Sequence, residues 1–420
     1  MNKSDAALAG SFVNADRLIQ RQRHMDGIGA TPRGGVHRPA LTAEDVATRR
    51  ALVDWAKARG FLVEIDPVAN LFVTRPGRDP ALAPVMIGSH TDSQPYAGRF
   101  DGMYGVLAAF ETLEALDDAG LDTLRPLTAV VWTGEEGGAR FPVGTVGSSA
   151  FTGRRSLADT LALQDADGVS LEQAIADGAA AMHDVAQRPL GGPVHAFVEI
   201  HIEQGRILEQ AGVPIGVVTD VQGLRRFAIE VTGEDAHAGT TPRSLRKDAF
   251  QDAMSLIADM RDACRDPEDI VRFTVGRLEL YPNAPAVVPG RVRFIIDLRH
   301  PSKDELDRLT NFIARRCREH NGPCTVSMSE MMRIEPTRFE PSMPDLVEAS
   351  AERLSIPSLR LISGANHDAS HLARICPRTT MIFIPCERGI SHNETENATD
   401  DDLVSGARVL CQTAYELANA

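Results

Sequence analysis

Two spacings of apolar residues alternate along the chain. From Thr42 to Gly60 they recur at helical period, which predicts an amphipathic helix. The Thr42 hydroxyl stands where it can accept a free N–H of the first turn, and Gly60 is the stop. Val85 to Gly88 is a short continuous apolar run of buried-strand type, and it leads directly into Ser89-His90-Thr91-Asp92. Leu107 to Leu116 returns to helix. Leu127 to Trp132 is a second buried strand and ends in Thr133-Gly134-Glu135-Glu136. This alternation predicts an α/β architecture. Polar residues directly behind apolar strands are what an open α/β sheet produces, because ligands bind beyond the carboxyl ends of its strands.

The texture changes near residue 217. Onwards to Met332 the order reads strand, helix (Pro242 to Cys264), strand (Ile270 to Leu280), strand (Val292 to Leu298), helix (Lys303 to His320), strand (Thr325 to Met331). A four-stranded sheet with two helices fits this segment. The α/β pattern then resumes, with a strand from Thr380 to Ile384 and a closing helix around Leu403 to Leu417. The expected organisation is a catalytic domain in two pieces, 1–216 and 333–420, with a smaller α+β domain inserted at 217–332.

With 420 residues, two domains are the natural expectation. Lys plus Arg number 44 against 58 Asp plus Glu, a net charge of −14. That argues against nucleic acid or an anionic membrane as partner, since both require a basic footprint. No run of about 18 apolar residues occurs, so no transmembrane helix is expected. Met1 to Asp16 lacks an apolar core of signal-peptide length. The six cysteines are scattered without a CxxC pair, which suggests buried small residues in a reducing compartment, the cytoplasm by default. Cys386 reads as packing rather than as a nucleophile.

The chemistry concentrates in a few polar turns. His90-x-Asp92 follows a strand, and Asp101-Gly102 lies eleven residues after His90. Glu135-Glu136, His201 in His201-Ile-Glu-Gln-Gly205, and Ser391-His392-Asn-Glu394 complete the set. Singly, each has an ordinary structural reading. Together, three His, one Asp and one Glu form the donor inventory for two divalent ions sharing a bridging carboxylate. Of the two adjacent glutamates, one can bind metal while the other stays free as a base. Asp92 is placed to orient the His90 imidazole from outside the ligand set.

These motifs resemble the metal-dependent amidohydrolases that include N-carbamoyl-L-amino-acid hydrolases, β-ureidopropionases and allantoate amidohydrolases, a branch of the di-metal aminoacylase and aminopeptidase superfamily. The matching stretches in the N-terminal half are Gly27-Ile-Gly-Ala-Thr-Pro-Arg-Gly-Gly-Val36, Gly88-Ser-His-Thr-Asp92, Phe100-Asp-Gly102, Gly134-Glu-Glu-Gly137 with Arg140-Phe141, and His201-Ile-Glu-Gln-Gly205. Further on come His237-Ala-Gly-Thr-Thr-Pro242, Pro282-Asn-Ala284, Val288-Pro-Gly290, Asp297-Leu-Arg299, Ser363-Gly-Ala365, His367-Asp-Ala369 and Gly389-Ile-Ser-His392. The likeness covers almost the whole chain in the right order.

The resemblance implies a di-metal aminopeptidase-like catalytic domain with a mixed sheet, the inserted domain serving as lid and dimer contact. It implies His90 and His201 on one metal, Glu136 and His392 on the other, Asp101 bridging, and Glu135 as general acid/base. It places a cis peptide at Asp101–Gly102. Gln204, His237 and Arg299 fall at its substrate positions, His237 polarising the scissile carbonyl and Arg299 clamping the substrate carboxylate. By its own pattern alone, without the resemblance, Arg299 reads first as a surface ion pair at a strand end. Two metals roughly 3.5–4 Å apart would activate water near neutral pH, with Glu135 moving its proton to the leaving nitrogen. Zinc suits the donors, as do manganese, cobalt or nickel. The expected substrate is a small carboxylate-bearing molecule, an N-carbamoyl-L-amino acid or related ureido acid, acted on by a homodimer. An N-acyl amino acid hydrolase or dipeptidase on the same scaffold, and a metal-holding ligand-binding relative without turnover, are the alternatives. Two positions depart from the family: Ala286 stands where a substrate-binding Asn is usual, and Arg243 where Met is common.

Overall fold

The computed structural model describes residues 8–420, so the part of the signal-peptide reading that concerns 1–7 lies outside the described residues. The chain divides into two compact units, one running to Thr219 and resuming at Phe339, the other spanning Asp220–Arg338.

The first unit is organised around a large mixed sheet. Its central order is Ile215–Val221, Thr379–Ile384, Ala196–Ile202, Val85–His90, Leu127–Trp132, Leu71–Arg75, Leu62–Ile65. The four strands from Thr379–Ile384 to Leu127–Trp132 pair in parallel, and every residue in them is buried. Strands covered on both faces have no solvent side to alternate toward, which is why their sequences read as continuous apolar runs. Antiparallel pairs flank this core. The helix Met103–Asp118 is buried over most of its length, and it packs against Asp400–Ala418. Thr42 caps its helix as expected, accepting from the Asp45 N–H at 3.5 Å, and Gly60 follows the last turn at φ 73°.

The second unit is an antiparallel sheet ordered Arg272–Tyr281, Arg291–His300, Gly223–Thr232, Thr325–Ile334, with the helices Ala249–Ala263 and Lys303–Arg318. Alternation is visible here: Val292, Phe294, Ile296 and Leu298 are buried. They share a core with Leu306, Leu309, Ile313 and Cys317, which recur at helical spacing. The helix expected from Pro242 begins instead at Ala249. The Asp248 carboxylate caps it, accepting from the N–H groups of Phe250 and Gln251 at 3.1 and 3.2 Å. The Arg246 guanidinium donates to the carbonyls of Ala238 and Thr241, holding the preceding segment in a loop. No helix among the described residues is long and apolar enough to cross a membrane.

Candidate di-metal active site

The parallel core strands deliver the candidate ligands to one edge. His90 is the last residue of its strand and pairs in register with Trp132, so Glu135 and Glu136 emerge just beyond it. His201 lies near the end of the neighbouring strand, its ring centroid 5.8 Å from that of His90. Asp101 stands between the groups. Its Oδ1 is 3.0 Å from His201 Nε2 and 3.6 Å from His90 Nε2, and its Oδ2 is 3.3 Å from His392 Nε2. Glu136 Oε2 lies 3.6 Å from His392 Nε2. Two donor groups result, His90–Asp101–His201 and Asp101–Glu136–His392, each with its ligand atoms within 4.8 Å of one another and with Asp101 common to both.

Asp101 is aimed by a tight turn. Gly102 adopts φ 65°, ψ −48°, and the Met103 N–H donates back to the Asp101 carbonyl at 2.7 Å. A β-carbon at 102 would collide with the His90 ring, so both conformation and space require glycine there. The cis peptide expected at Asp101–Gly102 is not found; the cis bond among the described residues is Tyr281–Pro282. The left-handed glycine makes the reversal with a trans amide, whose N–H donates to His201 Nε2 at 3.1 Å.

The donors fit divalent cations. His90 Nδ1 lies 2.9 Å from the Asp92 carbonyl, and His201 Nδ1 lies 2.9 Å from the Ile202 carbonyl. A carbonyl only accepts, so each Nδ1 carries hydrogen and each Nε2 turns toward the cluster. His90 Nε2 and Glu136 Oε1 are buried without a hydrogen-bond partner, which is costly unless something else meets them. Asp92 therefore touches His90 through its backbone oxygen. Its carboxylate accepts the N–H groups of Glu135 and Glu136 at 3.3 and 3.1 Å, fixing that turn.

The electrostatics follow from packing carboxylates and imidazoles out of water. For His90, burial opposes charge, but the nearby carboxylates of Asp101, Glu135 and Asp92 outweigh it and hold its pKa well above the ordinary value. For Asp101, burial is likewise overcome, by His201, His392 and His90, and its pKa falls well below the usual carboxylate range. Glu136 is pushed up to about 7 by burial and by Asp101. Burial also raises Glu135 well above its ordinary value, with Glu136, Asp368 and Asp101 adding to it. Its Oε2 is 3.7 Å from His90 Nε2, beside the donor groups yet in neither. A glutamate whose pKa is raised beside a reaction centre is equipped to take up and release a proton near neutrality.

Gln204, at φ 56°, donates from Nε2 to Asp101 Oδ2 at 2.9 Å and to Ser391 Oγ at 3.1 Å. A non-glycine residue held in that region stores strain, which concentrates at functional sites. In the second unit, His237 is exposed, on a two-residue ladder with Val287 and Val288. Its Nδ1 accepts the N–H groups of Gly239 and Thr240 at 3.0 and 3.1 Å, so Nε2 carries the proton and is a donor. Arg299 lies on the strand Arg291–His300 and donates from Nε to Asp297 Oδ1 at 2.8 Å. The Ala286 carbonyl accepts the Ala238 N–H at 2.9 Å.

Several supporting residues are absent from the sequence reading. Gln94 donates to Glu136 Oε2 at 2.9 Å. Glu199 accepts from Ser89 Oγ and the Ala369 N–H, both at 2.8 Å, under the two histidines. An acid inside the apolar strand Ala196–Ile202 was a signal that could have found it. His367 and Asp368, by contrast, belong to a stretch the sequence reading matched: His367 packs its ring 4.6 Å from that of His201, and Asp368 accepts from Ser148 Oγ. Glu396 accepts the N–H groups of Phe100 and Asp101. All six cysteines are free and buried. The Cys386 thiol is pushed up to about 12 by burial and points at the Ile390 carbonyl.

The mixed sheet and clustered donors define a metal-dependent hydrolase scaffold. Residues 86–416 match peptidase family M20/M25/M40, a metal-dependent family, and the chain belongs to it. It is 36% identical over 411 residues to an N-carbamoyl-L-amino-acid amidohydrolase of Rhizobium meliloti, covering 97% of each chain. To an allantoate amidohydrolase of Bacillus subtilis it is 33% identical over 395 residues, 93% of this chain and 94% of the relative. The crystal structure of a hydantoinase/carbamoylase family amidase from Burkholderia multivorans superposes with a TM-score of 0.90 at 40% identity, covering 97% of this chain and 98% of that one.

Proposed function

We propose that the chain is an amidohydrolase that cleaves a linear ureido C–N bond in a small carboxylate-bearing substrate, with an N-carbamoyl-L-amino acid the first choice. The observation that carries this reading is Asp101, shared by two donor groups, with Glu135 beside them. The names of the relatives direct it to ureido substrates. His90 and His201 would hold one cation and Glu136 and His392 a second, with Asp101 offered to both. Bound divalent ions, zinc first and manganese, cobalt or nickel next, supply Lewis acidity and bring the pKa of water to about 7.

The rest is done by side chains. Glu135 takes the proton from the attacking water and delivers it to the leaving nitrogen. His237 donates from Nε2 to the oxyanion that develops on the carbonyl. Arg299 pairs with the substrate carboxylate, and Gln204 keeps Asp101 in place. One water is consumed; the carbamate released decomposes, leaving amino acid, carbon dioxide and ammonia. We assign the inserted unit as lid and as the contact of a homodimer, and the reducing cytoplasm as the compartment that suits six free thiols.

The test is to strip the protein of metal, restore zinc, manganese or cobalt, and measure ammonia and amine release. The panel holds N-carbamoyl-L-amino acids, N-carbamoyl-β-alanine, allantoate and N-acetyl amino acids, with Glu135→Ala as control. Metal-dependent release from a ureido substrate, lost in the control, is the expected result. Release from the N-acetyl arm alone would replace the ureido reading with an acylase. Silence across the panel with two metals bound would mean that Ala286, which offers no side-chain donor, marks another substrate or a protein without turnover.

A further inference from the structure

We propose that Glu396 is a positioning residue that sets the direction of Asp101 and couples the two halves of the metal site. The inference rests on the di-metal reading above. Glu396 lies four residues past His392, carries no ligand role there, and is 1% exposed. Its Oε1 accepts the N–H groups of Phe100 and Asp101 at 3.0 and 3.1 Å, and its Oε2 lies 3.0 Å from Ser391 Oγ. A β-carbon on Gly98 would collide with the same carboxylate, so the segment 98–101 wraps closely around it.

Ser391 makes the arrangement a relay. Its Oγ is 3.1 Å from Asp101 Oδ2 as well as 3.0 Å from Glu396 Oε2, and it receives Gln204 Nε2 at 3.1 Å. One hydroxyl has one proton, so Ser391 serves one carboxylate at a time. With Asp101 committed to metal, the Ser391 proton would be left to Glu396, which lies as close to it as Asp101 does. Glu396 then binds the Asp101 loop through two backbone N–H groups and the His392 loop through Ser391. Its geometry therefore ties the residue shared by both donor groups to a ligand of the second.

The two groups do not depend equally on this tie. His90 and His201 are fixed by fully buried strands, whereas the His392 side chain is 50% exposed on a loop. Loss of Glu396 should release the second metal first. An uncharged isostere should substitute, because an amide oxygen can accept both backbone N–H groups and the amide NH₂ can donate to Ser391.

Zinc binding by calorimetry and by metal content, together with kcat and KM, tests this on full-length Glu396→Ala, Glu396→Gln and Ser391→Ala. Wild type should bind two zinc ions per chain. Glu396→Ala should keep one, bind the second at least about tenfold more weakly, the order of one lost hydrogen bond to a charged group, and lose kcat with KM little changed. Glu396→Gln should recover the second ion. Two ions bound at wild-type affinity by Glu396→Ala would overturn the proposal, as would a Gln variant as impaired as the Ala one. Should Glu396→Ala not fold, Ser391→Ala decides: weaker binding of the second ion supports the coupling, unchanged binding overturns it. Failure of wild type to bind two ions would instead remove the di-metal reading, and this role with it.

Discussion

The two units hold their candidate chemistry in opposite ways. In the first, His90, Asp101, Glu136 and His201 are each at most 6% exposed, set at the ends of buried parallel strands or in turns pinned by Asp92, Gly102 and Glu396. In the second, His237 is exposed on a two-residue ladder, and the Arg299 side chain is 36% exposed beside Asp297. Donors that must converge on one point need a rigid frame. Groups that greet a variable substrate can stand at a surface and adapt. The division predicts that mutations in the first unit cost metal or proton transfer, and that those in the second leave metal content untouched and cost contacts to the substrate or its oxyanion.

Breaking the comparison starts with the largest effect. Glu135→Ala should lower kcat by about 10²–10⁴-fold, the usual share of a general acid/base, with two metals still bound by mass spectrometry; loss of metal would make Glu135 a ligand instead. Next, His237→Ala should lower kcat by about 10²-fold, as removal of one oxyanion donor does, and should leave metal content untouched. An effect on KM alone would reassign it to binding. Arg299→Ala should raise KM by about 10–100-fold, the worth of a charge-assisted hydrogen bond, for substrates bearing a carboxylate. Equal weakening toward the corresponding amides would show that it packs rather than pairs.

The smallest and most diagnostic effect is on pH. Its hydrogen bond to Asp101 raises His392 from 6.5 to about 9, and burial with Asp101 raises Glu136 from 4.5 to about 7. Both hold protons that a cation must displace, so zinc affinity should climb as pH rises through this window. For the metal-free protein, His392 contributes stability that is complete below pH 6.5 and lost as pH passes 9. Glu136, also raised, contributes stability that is lost between about 4.5 and 7. Thermal unfolding should therefore show the metal-free form weakening toward alkaline pH while the zinc form holds. Parallel curves would mean that these residues do not hold the metal.

Much of this was legible from the chain. His90 stands out by closing a largely apolar strand, and Glu135 and Glu136 by following another, since burial on both faces leaves mainly the strand end for polar groups. The four-stranded sheet of the second unit shows in its alternation at Val292, Phe294, Ile296 and Leu298. What could not be read was whatever depends on contacts distant in sequence. Glu396 sits in a polar stretch like any solvated acid, and only the fold brings it to Phe100 and Asp101. The start of the helix at Ala249 was hidden for a different reason: Pro242 is itself a plausible first-turn residue, and the side-chain bonds of Arg246 to the carbonyls of Ala238 and Thr241, though local, follow no periodicity.

The split of the first unit by the second has a consequence for the order in which the protein is made. The strand Ala196–Ile202, which carries His201, pairs with Thr379–Ile384, and the Phe339 N–H returns to the Thr219 carbonyl at 3.1 Å. As the chain leaves the ribosome, Asp220–Arg338 emerges whole and can fold as a contiguous piece, while the open edge of the larger sheet must wait for the last strand. Until then an apolar strand edge lies exposed, and a misplaced pairing there would cost the site one of its histidines.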